Sequence, residues 1–184
     1  MTIADNELKA LLQRIDANLT SEQMVCLIGG AATILLGQPS RATEDIDVWA
    51  NASRIDVPSL KHATEAAGLT FDPKYDFPAL PYLQIVHPGI VQVPMWDPAT
   101  NTWSGKPSKQ LWSGKFLRVT CPPEEAIVAS KLIRGNDRDL EDCLWLMTAQ
   151  GLDAQAIRTA IRKLPDPQKE QASDNLELLG YLKR

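Results

Sequence analysis

The chain has 184 residues with 19 basic and 23 acidic side chains, a net charge of −4. That is enough sequence for one domain and gives no general attraction for nucleic acid beyond what a local basic patch supplies. Apolar residues at 44% and charged residues at 23% match globular averages and exclude a disordered or low-complexity chain. No apolar run approaches the ~18 residues of a membrane span. The N-terminus lacks the basic start and apolar stretch of a signal peptide, so a cytoplasmic protein with no membrane partner is expected. Cys26, Cys121 and Cys143 are odd in number, far apart and without a CxxC pair, which reads as reduced, mostly buried thiols. His62 and His87 alone do not make a histidine metal cage, and no GxSxG elbow supports a serine nucleophile.

Taken in chain order, Leu8, Leu11, Leu12, Ile15 and Leu19 have the spacing of an amphipathic helix over about 5–19. The wholly apolar run 24–28 predicts a buried strand, ended by Gly29 and Gly30. Residues 31–36 follow as a short helix closed by Gly37. Alternation over 45–50 predicts a second strand. A helix over 57–67 ends at Gly68, and a proline-rich irregular stretch follows. The runs 82–86 and 90–96 flank His87, Pro88 and Gly89, which suggests a hairpin. Residues 97–115 read as a long loop with a Trp-Ser-Gly-Lys echo at 103–106 and 112–115, and 116–121 as a last strand. From Pro122 the pattern is helical, with further helices near 137–150, 153–164 and 167–182. The expectation is one α+β domain over 1–184: an α/β core over about 1–121 and a helical portion over 122–184 packed on it.

Asp45 and Asp47 are the sharpest feature. Alternate strand residues share a face, so the two carboxylates sit side by side, ~6.5–7 Å apart along the chain, while Ile46 and Val48 point into a core. Such a pair offers oxygen ligands to a hard divalent cation, most naturally Mg²⁺. Taken alone it is more often a solvated strand face. Gly29 and Gly30 let backbone approach a ligand closely. Taken alone they are equally an ordinary strand-to-helix turn. Strand, Gly-Gly, short helix, loop and Asp-x-Asp strand together place an anion-binding turn beside a cation-binding pair, which a metal–nucleoside triphosphate requires.

At this point the chain resembles a known family. Residues 27–32 (Leu-Ile-Gly-Gly-Ala-Ala) followed by 41–48 (Arg-Ala-Thr-Glu-Asp-Ile-Asp-Val) are similar to the signature of the polymerase-β-type nucleotidyltransferase superfamily. Within it, the small bacterial nucleotidyltransferases related to the AbiEii toxins of toxin–antitoxin systems are the nearest in pattern. Residues 123–131 and Arg138–Asp142 look like the helical block of that family, a lysine followed by an Arg/Lys-Asp-x-x-Asp helix. The resemblance implies a minimal nucleotidyltransferase fold, a small mixed sheet with flanking helices followed by a C-terminal helical portion. It implies Gly29, Gly30, Arg41 and Lys131 on the nucleotide, and Asp45 and Asp47 on Mg²⁺, with Mn²⁺ as the substitute. Asp45, Asp47, Lys131 and Asp139 would form the catalytic set. An NTP as substrate, an RNA or protein acceptor and an antitoxin partner complete what the resemblance implies. The superfamily's third carboxylate lies on a later strand. In this register its slot falls on Pro94, with Asp97 three positions on and facing the opposite way.

Two other readings stand beside it. One is a catalytically silent relative kept for nucleotide sensing or for binding an antitoxin. The other is an Asp-x-Asp glycosyltransferase, against which the length, the Gly-Gly turn and the helical block all argue. Residues 98–123 carry Lys106, Lys109, Lys115 and Arg118 without an acid, interleaved with Trp103 and Trp112. They read as a solvated loop with two anchoring tryptophans, or as an RNA or partner contact by stacking and charge.

Overall fold

The computed structural model describes residues 2–39, 41–73 and 81–182. The chain divides into two compact units, Met1–Pro88 with Ser108–Cys121, and Gly89–Pro107 with Pro122–Arg184.

In the first unit α1 (Asp5–Asn18) buries Leu8, Leu11, Leu12 and Ile15, the stripe that its periodicity predicts. It packs on α3 (Val57–Ala66), whose inner face is Leu60 and Ala63. Strand β1 (Gln23–Cys26) passes into α2 (Gly29–Leu35), which is two turns long and begins at the first glycine, two residues before the expected start. Strand β2 (Asp45–Trp49) follows. Beyond α3 come β3 (Thr70–Phe71) and β4 (Tyr82–Val86). The proline-rich stretch over 74–80 lies outside the described residues. Strands β2, β4 and β3 form one sheet in that order, all parallel. Strands β7 (Lys109–Ser113) and β8 (Leu117–Cys121) form a second sheet with β1, in which β8 is central, parallel to β1 and antiparallel to β7. The sheets meet at an antiparallel bridge between Leu27 and Val48, where the Ile28 N–H donates to the Asp47 carbonyl at 3.0 Å.

Two sequence expectations fail here. Residues 82–86 and 90–96 are not a hairpin, because β4 takes β2 and β3 as parallel neighbours and leaves no edge for a return strand. Residues 109–113 are not loop but β7, an edge strand whose polar composition hid it. A register shift between Gln110 and Trp112 breaks the alternation there as well.

The second unit has a two-stranded ribbon, β5 (Trp96–Asp97) and β6 (Thr102–Trp103). Its register sets Trp96 against Trp103, ring centroids 4.8 Å apart, and Trp103 is fully buried. The other expected anchor, Trp112, is half-buried. Four helices follow: α4 (Glu124–Arg134), α5 (Asp137–Ala149), α6 (Ala154–Ile161) and α7 (Gln168–Leu182), with α4 packed against the other three. The ribbon segment is tied to α4 by Lys106 Nζ on the buried Glu125 carboxylate at 2.6 Å. All three cysteines are buried free thiols. Burial pushes those of Cys26 and Cys143 up to about 12, so neither is a nucleophile at neutral pH.

A carboxylate latch closes the first unit. Asp16, near the end of α1, accepts the backbone N–H groups of Lys115, Phe116 and Leu117 at 2.9, 2.7 and 2.7 Å. Gly114 leaves room for it, since a Cβ there would stand 2.4 Å from the Asp16 carboxyl carbon. Partial burial works to raise the Asp16 pKa. The three amide donors from Leu117, Phe116 and Lys115 outweigh it and hold the group below its ordinary 3.8. A depressed folded pKa contributes stability that is fully present above 3.8 and is lost as pH falls through the folded value. Asp16→Ala is therefore expected to cost about 1–3 kcal/mol at neutral pH, the scale of hydrogen bonds to a charged group. In urea unfolding the gap between variant and wild type should shrink in acid. A gap that does not change with pH counts against the latch.

Candidate functional site

The site grows from the junction of β1, α2 and β2. Ile46 and Val48 are fully buried, which turns Asp45 and Asp47 together onto the opposite, half-open face of β2. Gly29 has φ +66°, and a Cβ on it would lie 2.5 Å from Asp47 Oδ2, so the carboxylate rests directly on the backbone of the turn. Beside it, a Cβ on Gly30 would meet Thr43 Oγ1 at 2.8 Å and an Arg41 guanidinium nitrogen at 3.2 Å. The Gly-Gly turn, both aspartates and Arg41 thus come together, and of these Arg41 also lines a cavity of about 360 Å³ with Ile34 and Gln38.

Thr43 and Tyr82 belong to this site although the sequence did not single them out. Thr43 Oγ1 donates to Asp45 Oδ1 at 2.6 Å, and the Tyr82 hydroxyl reaches Asp45 Oδ2 at 3.5 Å. Thr43 lies two residues before Asp45 on the same face, a signal already present in the run 41–48. Tyr82 is found only through the parallel register that sets it against Asp45. Burial, then the charges of Asp45 and Asp47, push the Tyr82 pKa upward, which keeps it a protonated donor.

The same register sets Gln84 against Asp47. The neighbour of the aspartate pair on β4 is therefore an amide. Pro94 lies in a turn of the second unit and not on a strand beside β2, which corrects the register expected from the sequence. Asp97 is occupied in its own turn, accepting from the Ala99 N–H and the Thr100 hydroxyl, each at 2.9 Å. The Thr100 hydroxyl first, then the Ala99 amide, lower its pKa. Among the described residues no three His, Cys, Asp or Glu side chains gather into a metal cluster. Asp45 and Asp47 fit one hard cation that takes its other ligands from phosphate oxygens and water.

Lys131 and Asp139 meet each other in the second unit. Lys131, 4% exposed, donates to Asp142 at 2.7 Å and to Asp139 at 3.3 Å. Arg134 binds Asp139 through Nε and a terminal nitrogen at 3.0 and 2.9 Å. Asn136 caps α5 by accepting the Asp139 N–H. Two cations and two carboxylates neutralise one another between α4 and α5, so the ammonium is already committed to carboxylates.

A family model described as a nucleotidyltransferase of unknown function (DUF6036) matches residues 2–176. The chain belongs to this nucleotidyltransferase family. The crystal structure of an antigenic nucleotidyltransferase-like protein from Paracoccidioides brasiliensis is similar over 96% of this chain and 95% of that one, with a TM-score of 0.50 and 18% identity. At that identity the likeness concerns the fold, a mixed α+β arrangement of small sheets and helices. No curated protein matches. Both matches stop at the nucleotidyltransferase level and do not reach the AbiEii toxins. No helix among the described residues is long and apolar enough to cross a membrane.

Lys131→Ala should leave Asp139 and Asp142 buried with half their compensating charge and cost about 3–5 kcal/mol in chemical unfolding. A cost under about 1 kcal/mol would show the cluster to be solvated. Gly29→Ala should lower stability too, because it adds a strained φ to a steric conflict with Asp47.

Proposed function

We propose that the chain is a Mg²⁺-dependent nucleotidyltransferase that binds an NTP at the Gly29–Gly30 turn and passes its nucleotidyl group to a hydroxyl of an RNA or protein acceptor, with pyrophosphate as the leaving group. The observation that carries this reading is the Asp47 carboxylate resting on Gly29, with Asp45 on the same face. Asp45 and Asp47 would hold the cation, Mg²⁺ or Mn²⁺, which supplies charge neutralisation for the triphosphate and for the oxygens of an in-line displacement. Arg41, against Gly30, would take phosphate charge. Thr43 and Tyr82 orient Asp45, one hydroxyl on each of its carboxylate oxygens. Lys131 and Asp139 enter the proposal as the pair that fixes α4 to α5. The setting we assign is a cytoplasmic toxin–antitoxin component of the AbiEii kind.

A second reading has its own observation. With Gln84 against Asp47, and no three-carboxylate cluster among the described residues, the site holds a nucleotide without the acid that positions a second metal. The chain would then sense nucleotide, or bind an antitoxin, without transfer.

Calorimetry with each NTP, with and without Mg²⁺, tests the site. The double variant Asp45→Asn, Asp47→Asn should lower Mg²⁺-dependent affinity by more than about 10–100-fold, the cost of losing even an outer partner of a metal ligand. Affinity equal to wild type would remove the metal site. Incubation with labelled NTP and total RNA separates the readings. Label transferred by wild type and lost in the double variant supports the enzyme, and tight binding without transfer supports the sensor.

A further inference from the structure

One hydroxyl at the aspartate pair is both within reach of a carboxylate and open to a ligand. On β4, Leu83 and Ile85 are buried, so Tyr82 and Gln84 face the same way as Asp45 and Asp47 on the neighbouring strand. The Tyr82 hydroxyl stands 3.5 Å from Asp45 Oδ2, and Thr43 Oγ1 donates to Oδ1 of the same carboxylate at 2.6 Å. A hydroxyl, a carboxylate base and a third group that orients the base are the parts of an activated nucleophile, and such hydroxyl–base contacts run longer before substrate binds. Exposure separates Tyr82 from the other described hydroxyls beside the turn. Thr33 is fully buried and donates to the Gly30 carbonyl at 2.8 Å, and Thr43 is 6% exposed and packed against Gly30. Tyr82 is half-buried, so a molecule bound at Asp45 can meet it.

We propose that Tyr82 is a self-modification site: with Mg²⁺–NTP bound, its phenolic oxygen takes the nucleotidyl group and the chain carries an O-nucleotidyl tyrosine. The bond from Tyr82 Oη to the α-phosphorus forms, and the bond from that phosphorus to the oxygen bridging the β-phosphate breaks. Pyrophosphate leaves with that electron pair. The phenolic proton passes to Asp45 and on to water. A carboxylate offers about four lone-pair sites, enough for the cation, the Thr43 hydroxyl and the phenol together. This modification rests on the transfer reading and deepens it by naming an acceptor hydroxyl, one inside the chain. The parallel register of β4 on β2 holds Tyr82 against Asp45, so the acceptor is in position without a second molecule. The adduct would cover Asp45, which limits the reaction to one nucleotidyl group per chain.

The experiment incubates the full chain with Mg²⁺ and each NTP labelled at the α-phosphate, with γ-labelled NTP in parallel, and reads intact mass and fragment ions. Wild type should gain one nucleoside monophosphate per chain and hold α-label but no γ-label. Its rate per chain should not depend on protein concentration, because site and acceptor belong to one molecule. Tyr75 and Tyr82 share the tryptic peptide that follows Lys74, so fragment ions must place the adduct on Tyr82. Tyr82→Phe should lose the adduct, while its Mg²⁺-dependent NTP affinity by calorimetry stays within about tenfold of wild type, the scale of one hydrogen bond. The wild-type fragment map decides even if that variant is unstable. An adduct on Tyr75, an adduct kept in Tyr82→Phe, γ-label on the chain, or a rate proportional to protein concentration would each overturn the proposal. So would a wild type that binds Mg²⁺–NTP and stays unmodified, a result that leaves the nucleotide site standing. Absence of NTP binding by the wild type would overturn the site and the modification together.

Discussion

The carboxylate of Asp47 fills the volume in which any residue other than glycine at position 29 would place its Cβ, and the turn from β1 into α2 exists in this form because residue 29 has none. Moving Asp47 away would free that volume. It would also unseat the Ile28 N–H from the Asp47 carbonyl and the bridge between Leu27 and Val48, which are what join the two sheets. One contact therefore sets the site and the continuity of the β-structure together. Beneath it Ile46 and Val48 are fully buried, each about 1.5–3 kcal/mol of transfer free energy that fixes which way β2 faces. A slip of one residue would bury both aspartates and expose both apolar side chains.

That coupling explains what could be read from the sequence. The Asp-x-Asp strand, the Gly-Gly turn and the amphipathic helices are written in local periodicity, and local periodicity decides them. Strand β4 is different. Its apolar run sits before His87, Pro88 and Gly89 as a hairpin arm would, and nothing nearby says that its partners are β2 and β3 in parallel. Parallel pairing is non-local, so the pattern of one strand carries no trace of it. Tyr82 and Gln84 were hidden for the same reason: each matters only through the residue registered against it. Strand β7 was hidden by composition, since an exposed edge strand needs no apolar alternation.

The helical block was legible as a motif and illegible as chemistry. A lysine followed by Arg-Asp-x-x-Asp is what a phosphate-binding cation and an acidic partner look like in sequence. It is also what a self-neutralising pair of helices looks like. Burial adds what the motif alone does not carry. At 4% exposure the Lys131 ammonium must be compensated on the spot, and Asp139 and Asp142 stand at hydrogen-bond distance to do it. No spacing rule contains that information, because it depends on how much water α4 and α5 exclude between them.

Compensation of charge then sorts the basic residues of the chain by what they are available for. Lys131 and Arg134 spend their charge on buried carboxylates, and Lys106 spends its own on Glu125. An external anion would have to displace those partners and leave acids buried without cations, a loss of several kcal/mol before any gain. Arg41 has its guanidinium beside Gly30 and donates to the carbonyl of Ala42. Arg158 and Arg162 stand in solvent with no described carboxylate in ion-pair range, so binding an anion there relieves repulsion and strands nothing. In a chain with more acids than bases, withdrawing a cation from its present partners costs much at the buried Lys131 and little at the exposed Arg158 and Arg162.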